Sequence, residues 1–502
     1  MKLKIYNFIV MLFIFQTVLN AQHLLTPLEE SNYTKLTSYD ELISFLENAV
    51  RQNSKLSMDC IAESVEGRKV PAIKISSGEF GTDKEKIKVL IFAQQHGNEP
   101  SGKEGALLLI ARFANGDYDS LLNRIDLIIV PQMNPDGSEK DVRRNGNNAD
   151  LNRDHLTLLQ PETTGLHKLF NEYLPEATMD VHEYFPYSED WEKYGYIKKF
   201  DEQIGATTNI NISENIRSYS NIIYFPFIKN YLNEQGFSFQ NYILGGPPEE
   251  ELIRHSTYDI NDGRQSFGIL NSFSFIQEGL NGRDSIENIK HRSEGQATGM
   301  LGFLDFIYLN KNEIKGMVEE ERSKLISGNA GDEVAIQLDH VPDGSILKLN
   351  LFSLYSNADT VITVKDYRPV VKSLLEVKRP LGYLIPKDAT DLVEWAKRQN
   401  IVMISFNNSP DKRIEQYFVR KIDSINFEGD TIVNPVVELS EVKRNIIATD
   451  YLFIPTSQLK NNLIVIALEP KSMLGLVTYK KFEHLLKSGE YFPILRVVDQ
   501  KE

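Results

Sequence analysis

Four apolar runs constrain this chain most: "KIKVLIFA" (86–93), "RIDLIIVPQ" (124–132), "EATMDVHEY" (176–184) and "NSFSFIQEG" (271–279). Their apolar character is too continuous for strands with one wet face. Such runs read as strands of a largely parallel sheet buried on both sides, and stretches such as "KEGALLLIARF" (103–113) read as the covering helices. The fold class that follows is α/β: a mixed, largely parallel sheet with helices on both faces. Ahead of it, "SYDELISFLENAVRQ" (38–52) has helical periodicity, and "SMDCIAES" and "KVPAIKIS" read as a hairpin joined at "VEGR". In sheets of this kind, binding sites form beyond the carboxyl ends of the strands. The polar residues that close each run are therefore the candidates for chemistry.

The first joint, "FAQQHGNEPSG" (92–102), carries His96 and Glu99 three positions apart in a turn. Ser101 and Glu104 fit an S-x-x-E capping box, which predicts a helix starting at residue 102. An imidazole nitrogen and a carboxylate oxygen in one turn can aim at one point, as two ligands of a Zn²⁺ ion do; a catalytic site adds a third ligand and an open position. The run ending in "MDVHEY" offers His182 on the same sheet edge. "SFSFIQEGL" delivers Glu278 from an apolar strand, where an unpaired carboxylate is costly to bury, and it reads either as a surface-edge glutamate or as a general base beside a metal. The loop "NPDGSEKDVRRNGNNADLNRDH" (134–155) reads as a polar surface loop or as an ordered one offering guanidinium groups to an anionic substrate or oxyanion.

In this order, H-x-x-E, N-P-D-G, R-x-N with D-L-N-R, a strand-end histidine and a strand-borne glutamate resemble the zinc carboxypeptidases. The resemblance covers roughly residues 30–310 and includes "SVEGRKVPAIKIS". It implies one zinc per chain, held by His96, Glu99 and His182, with Glu278 as the catalytic glutamate. It implies that Arg143 polarises the scissile carbonyl, with the adjacent Arg144 as the other choice in that register. Asn152 and Arg153 would grip the terminal carboxylate of a peptide substrate, and Asp150 would orient the first zinc histidine. The interval from Glu99 to His182 is shorter than in digestive members. For their mobile tyrosine the nearest candidate by position is Tyr258, which also reads as an ordinary loop residue; in that case Arg264 is the residue that would face substrate instead.

Beyond residue 311 the texture changes. "NEIKGMVEEERSKLISGNAGDE" reads as a linker or connecting helix. "GSILKLNLFSL", "DTVITVKDY", "KNNLIVIALEP" and "YFPILRVV" read as strands interrupted by one helix, "TDLVEWAKRQN". "RPLGYLIP" and "VIALEPKSMLGLVTYKKFEHLL" resemble the C-terminal region of some secreted bacterial members of the family, and they show no clustered catalytic groups. The expected organisation is a signal peptide at 1–21, a catalytic domain at 22–315 and a β-rich domain at 316–502. The signal peptide is read from Lys2, Lys4, the apolar stretch Ile5–Leu19 and Ala21, and it places the protein outside the cytoplasm, secreted or periplasmic, with no membrane attachment after cleavage. A net charge of -15 spread along the chain argues against nucleic acid and anionic membranes. The lone Cys60 permits no internal disulfide and reads as a small buried residue. Two further readings stand beside the peptidase: a zinc amidase acting on cell-wall peptides, and a non-catalytic peptide- or glycan-binding protein on the same scaffold.

Overall fold

The computed structural model describes residues 23–328, 331–407, 411–427 and 429–500. The segment read as a signal peptide lies outside them. The first region runs α1 (Tyr39–Gln52), β1 (Leu56–Glu63), β2 (Lys69–Ile75), β3 (Ile87–Ala93), α2 (Pro100–Asn115), β4 (Ile125–Val130), α3 (Pro161–Tyr173), β5 (Ala177–Tyr184), β6 (Glu202–Ala206), β7 (Phe239–Asn241), β8 (Phe273–Leu280) and α4 (Ile289–Leu309). The eight strands form one sheet in the order β1-β2-β4-β3-β5-β8-β6-β7. Its centre, β4-β3-β5-β8, is parallel, and antiparallel pairs flank it.

Side-chain alternation along each strand divides the apolar residues between two faces. Val89 and Ile91 of β3 pack with Phe45 of α1, Ile110 of α2 and Phe303 of α4. Leu90 and Phe92 face the other way, toward Leu166 and Phe170 of α3. That second core continues into residues after 331, including Val334, Tyr383, Trp395 and Ile464.

The capping box forms at α1, where Ser38 and Glu41 bond reciprocally, but not at α2. That helix begins at Pro100, with no side-chain cap. The carboxylate of Glu183 on β5 accepts from the Ser101 N–H at 3.0 Å, and Glu104 is taken up by the Thr37 N–H and hydroxyl at 2.8 and 2.7 Å. Tertiary partners replace the local cap. Cys60 is exposed rather than buried: it lies on the edge strand β1, beside an irregularity in the β1–β2 pairing.

The connecting segment is a helix, α5 (Lys311–Ser327). After it comes a β-rich region. Its largest sheet has six strands in the order Ile404–Ser405, Tyr451–Pro455, Gly382–Pro386, Tyr491–Asp499, Lys412–Lys421, Val436–Glu441. A hairpin, Leu347–Ser353 with Ala358–Val364, extends to pair with Tyr196–Ile197 of the first region. Two α-helices of the described residues belong here, α6 (Thr390–Arg398) and α7 (Asn461–Leu468). The second corrects the strand expected in "KNNLIVIALEP". All eight residues of α7 are buried, and a run that is apolar all round shows no period by which strand and helix can be told apart.

Candidate active site

β3, β5 and β8 lie side by side and carry the site at one edge. Beyond β3 the chain turns through "QQHGNE". Here the backbone of Gly97 meets that of Gly137 so closely that a Cβ on Gly97 would lie 2.0 Å from the Gly137 carbonyl carbon. This contact between the H-x-x-E turn and the N-P-D-G turn explains the glycine at 97, while a Cβ on Gly137 would instead meet Asn134 Nδ2 and the carbonyls of Arg144 and Val142 within its own loop. It also brings the 134–155 loop over the strand ends. On β8, Glu278 stands in register opposite His182 of β5.

His96, Glu99 and His182 converge. The His96 Nδ1 is 2.7 Å from Glu99 Oε1, and the His182 Nδ1 is 3.0 Å from Glu99 Oε2 and 3.1 Å from His96 Nδ1. One ligand atom from each lies within 4.8 Å of the others, and all three side chains are buried. Ligands at about 2.0–2.1 Å around a tetrahedral Zn²⁺ stand about 3.3 Å apart, so the donor set and its spacing fit that ion. The outer ring nitrogens are anchored too: His96 Nε2 lies 3.2 Å from Asp150 Oδ1, and His182 Nε2 lies 2.9 Å from Asp180 Oδ1. Carboxylates behind ligating imidazoles fix their tautomer and aim.

The electrostatics divide the carboxyls. Burial would raise Glu99, but the charges and hydrogen bonds of His96 and His182 outweigh it and hold the carboxyl well below its ordinary range. Asp150 behaves likewise, with burial opposed by His96, Arg143 and Arg153. Glu278 goes the other way: burial, seconded by the charge of Glu99, lifts it to about 7 against the pull of His182 and His96. It has no hydrogen-bond partner among the described residues. A second charge near it is Lys198, whose ammonium sits 4.8 Å over the Trp191 ring and is pulled by burial to about 8 against the charge of Glu278.

Arg143 is at the site and Arg144 is not. The Arg143 guanidinium donates to Asp150 at 3.0 Å and lies 3.6 Å from Glu99, and its side chain remains 45% exposed. Arg144 donates to the Asn148 carbonyl. Asn152 is buried, its Oδ1 accepting from the Gly263 N–H at 2.8 Å, and Arg153 follows it, donating to the Asn152 carbonyl. Tyr258 is drawn away: it is buried, and its hydroxyl donates to the Leu338 carbonyl at 2.9 Å. Arg264 is wholly buried, with its guanidinium on Asp262, Thr257 and Ser256, so its charge is already matched.

Sequence reasoning left two side chains at the site without a role. Asp180 stands two residues before His182, on the same strand face; a carboxylate inside an apolar strand was the available signal. Gln95, beside His96, carried none.

Residues 42–265 match the model of the zinc carboxypeptidase family. Carboxypeptidase 2 of Trichophyton tonsurans is 25% identical over 481 residues, covering 92% of this chain and 86% of that protein. Carboxypeptidase 2 of Trichophyton rubrum is 24% identical over 475 residues, covering 92% and 86%. Among solved structures, a metallo-carboxypeptidase from Burkholderia cenocepacia is 17% identical, with a TM-score of 0.43, covering 56% of this chain and 71% of that one.

Proposed function

We propose that this chain, whose residues 42–265 match the zinc carboxypeptidase family model, is a secreted metallocarboxypeptidase that hydrolyses the C-terminal peptide bond of peptides. The observation that carries the reading is the convergence of His96, Glu99 and His182 on one point, with Glu278 in register beside His182.

In this reading His96, Glu99 and His182 hold one zinc ion. When bound, zinc acidifies its water ligand toward a pKa of about 7 and polarises the carbonyl. The chain's own residues then divide the work. Glu278, unpaired and raised to about 7 by burial, takes the proton of the attacking water and returns it to the departing amine. Arg143, fixed by Asp150 yet open to solvent, faces the oxyanion. Asn152 and Arg153 hold the substrate's free carboxylate, which restricts cleavage to a chain end. Residues 22–315 form the catalytic domain and 316–502 the β-rich one. Secretion rests on residues 1–21; among the described residues no helix is long and apolar enough to cross a membrane.

The test is a pair of peptides identical except at the C-terminus. The free carboxylate form releases its last amino acid and the amidated form does not. Equal cleavage of both would contradict the reading.

A further inference from the structure

We propose that Gln95 and His155 are positioning residues for the Asp180–His182 pair, and that Gln399 and Trp395 of the C-terminal region hold His155 where it can act. The inference rests on His182 being a metal ligand.

The argument begins at His182, whose Nδ1 faces Glu99 and His96 while its Nε2 meets Asp180. Asp180 is fully buried. Both of its oxygens lie 2.9 Å from Gln95 Nε2, and that same nitrogen lies 3.3 Å from Asn152 Oδ1. One amide thus touches both the metal side and the substrate-carboxylate side of the site. The reverse orientation would set the amide oxygen against a carboxylate, so Gln95 Nε2 donates and Oε1 accepts. Gln95 Oε1 lies 2.8 Å from His155 Nε2, which therefore carries the proton. His155 Nδ1 is then an acceptor, 3.0 Å from His167 Nε2. Burial lowers both His155 and His167, which keeps them neutral. Every proton along the line from His167 to His182 is ordered by these pairings. His167 Nδ1 ends it without a partner among the described residues.

The backbone of His155 is held from the C-terminal region. Gln399 Nε2 donates to the carbonyls of His155 and Leu156 at 2.9 and 2.8 Å. Trp395 Nε1 donates to Leu156 at 2.9 Å, and Arg398 reaches the Thr157 carbonyl at 3.2 Å. Lys460 Nζ bonds Gln399 Oε1 at 3.2 Å. Three successive carbonyls, beginning two residues after Arg153, thus depend on side chains more than 230 positions away. Buried carbonyls need partners in any fold, so loss of stability alone would not establish positioning. Metal affinity would, because removing a group behind a ligand typically weakens binding about 10–100-fold.

The experiment uses the full chain and measures the zinc dissociation constant by chelator competition, the visible spectrum of the Co²⁺-loaded protein, and metal-free melting. His155→Leu is expected to weaken zinc about 10–100-fold and to alter the cobalt spectrum. His155→Gln, whose amide reaches the same acceptor, is expected to recover most of both. Gln95→Leu is expected to match His155→Leu and stands in for it if that variant does not fold. Gln399→Leu is expected to give a smaller weakening in the same direction. Folded His155→Leu or Gln95→Leu protein with wild-type zinc affinity and cobalt spectrum, whatever its melting temperature, would overturn the inference alone. A wild-type chain that binds no zinc would overturn both the inference and the function it rests on.

Discussion

Two clusters of buried charge, one in each region, show what separates a site from a scaffold. In the C-terminal sheet, Glu469 takes the Tyr383 hydroxyl at 2.7 Å and the Arg496 guanidinium at 3.1 Å, and Arg496 also reaches Glu415 at 3.5 Å. There the opposite charges lie within ion-pair distance of each other, although Glu469 Oε2 has no hydrogen-bond partner among the described residues. At the edge of the first sheet, His96, Glu99 and His182 turn their inner atoms toward a shared point, and the Glu278 carboxylate stands beside them with no hydrogen-bond partner among the described residues. Both clusters carry the cost of desolvated charge. Only the second leaves donors and a base directed at something from outside the protein.

The contrast is broken or sharpened by substitution. Glu278→Gln should lower kcat by about 10²–10⁴-fold while zinc content stays at the wild-type level; peptide hydrolysis and metal analysis on the same sample check both. Arg496→Leu should do the opposite. It strands Glu469 in the core and should cost about 3–5 kcal/mol in denaturant unfolding, with kcat per folded molecule unchanged.

Metal-free protein gives a third comparison. The folded carboxyl of Glu278 sits near 7 because it is buried, above an unfolded value of about 4.3. The folded state therefore keeps that proton longer, and the group's contribution to stability is fully present below about pH 4 and lost as pH rises through 7. Metal-free Glu278→Gln should accordingly be more stable than wild type at pH 8, by on the order of 1–3 kcal/mol, and the gap should vanish toward pH 4. Thermal unfolding across pH measures it. The smallest effect belongs to Tyr258→Phe, which loses one hydrogen bond to Leu338. It should cost about 1 kcal/mol and leave kcat/KM alone.

The residues that converge were legible because each lies near or just beyond the end of one of the parallel central strands of the mixed sheet, and that topology collects strand ends at one edge. His96, Glu99, His182 and Glu278 are readable in this way, and Asp150 and Arg143 follow by motif. The α2 cap was misread because the local S-x-x-E pattern is silent about Glu183 and Thr37, which arrive from elsewhere in the chain. The strand expected at 460–470 failed because burial on all sides erases periodicity. Gln95, His155 and Gln399 were invisible for a related reason: a neutral polar side chain shows its role only through its partners, and these lie about 60 to 244 residues apart.

Zinc content of the purified full chain, compared between wild type and His182→Ala, tests the convergence most directly. The account predicts about one zinc per wild-type chain, none retained by His182→Ala, and hydrolysis that stops on chelation and returns with added zinc. Wild-type protein that cleaves peptides at full rate after complete metal removal would contradict it.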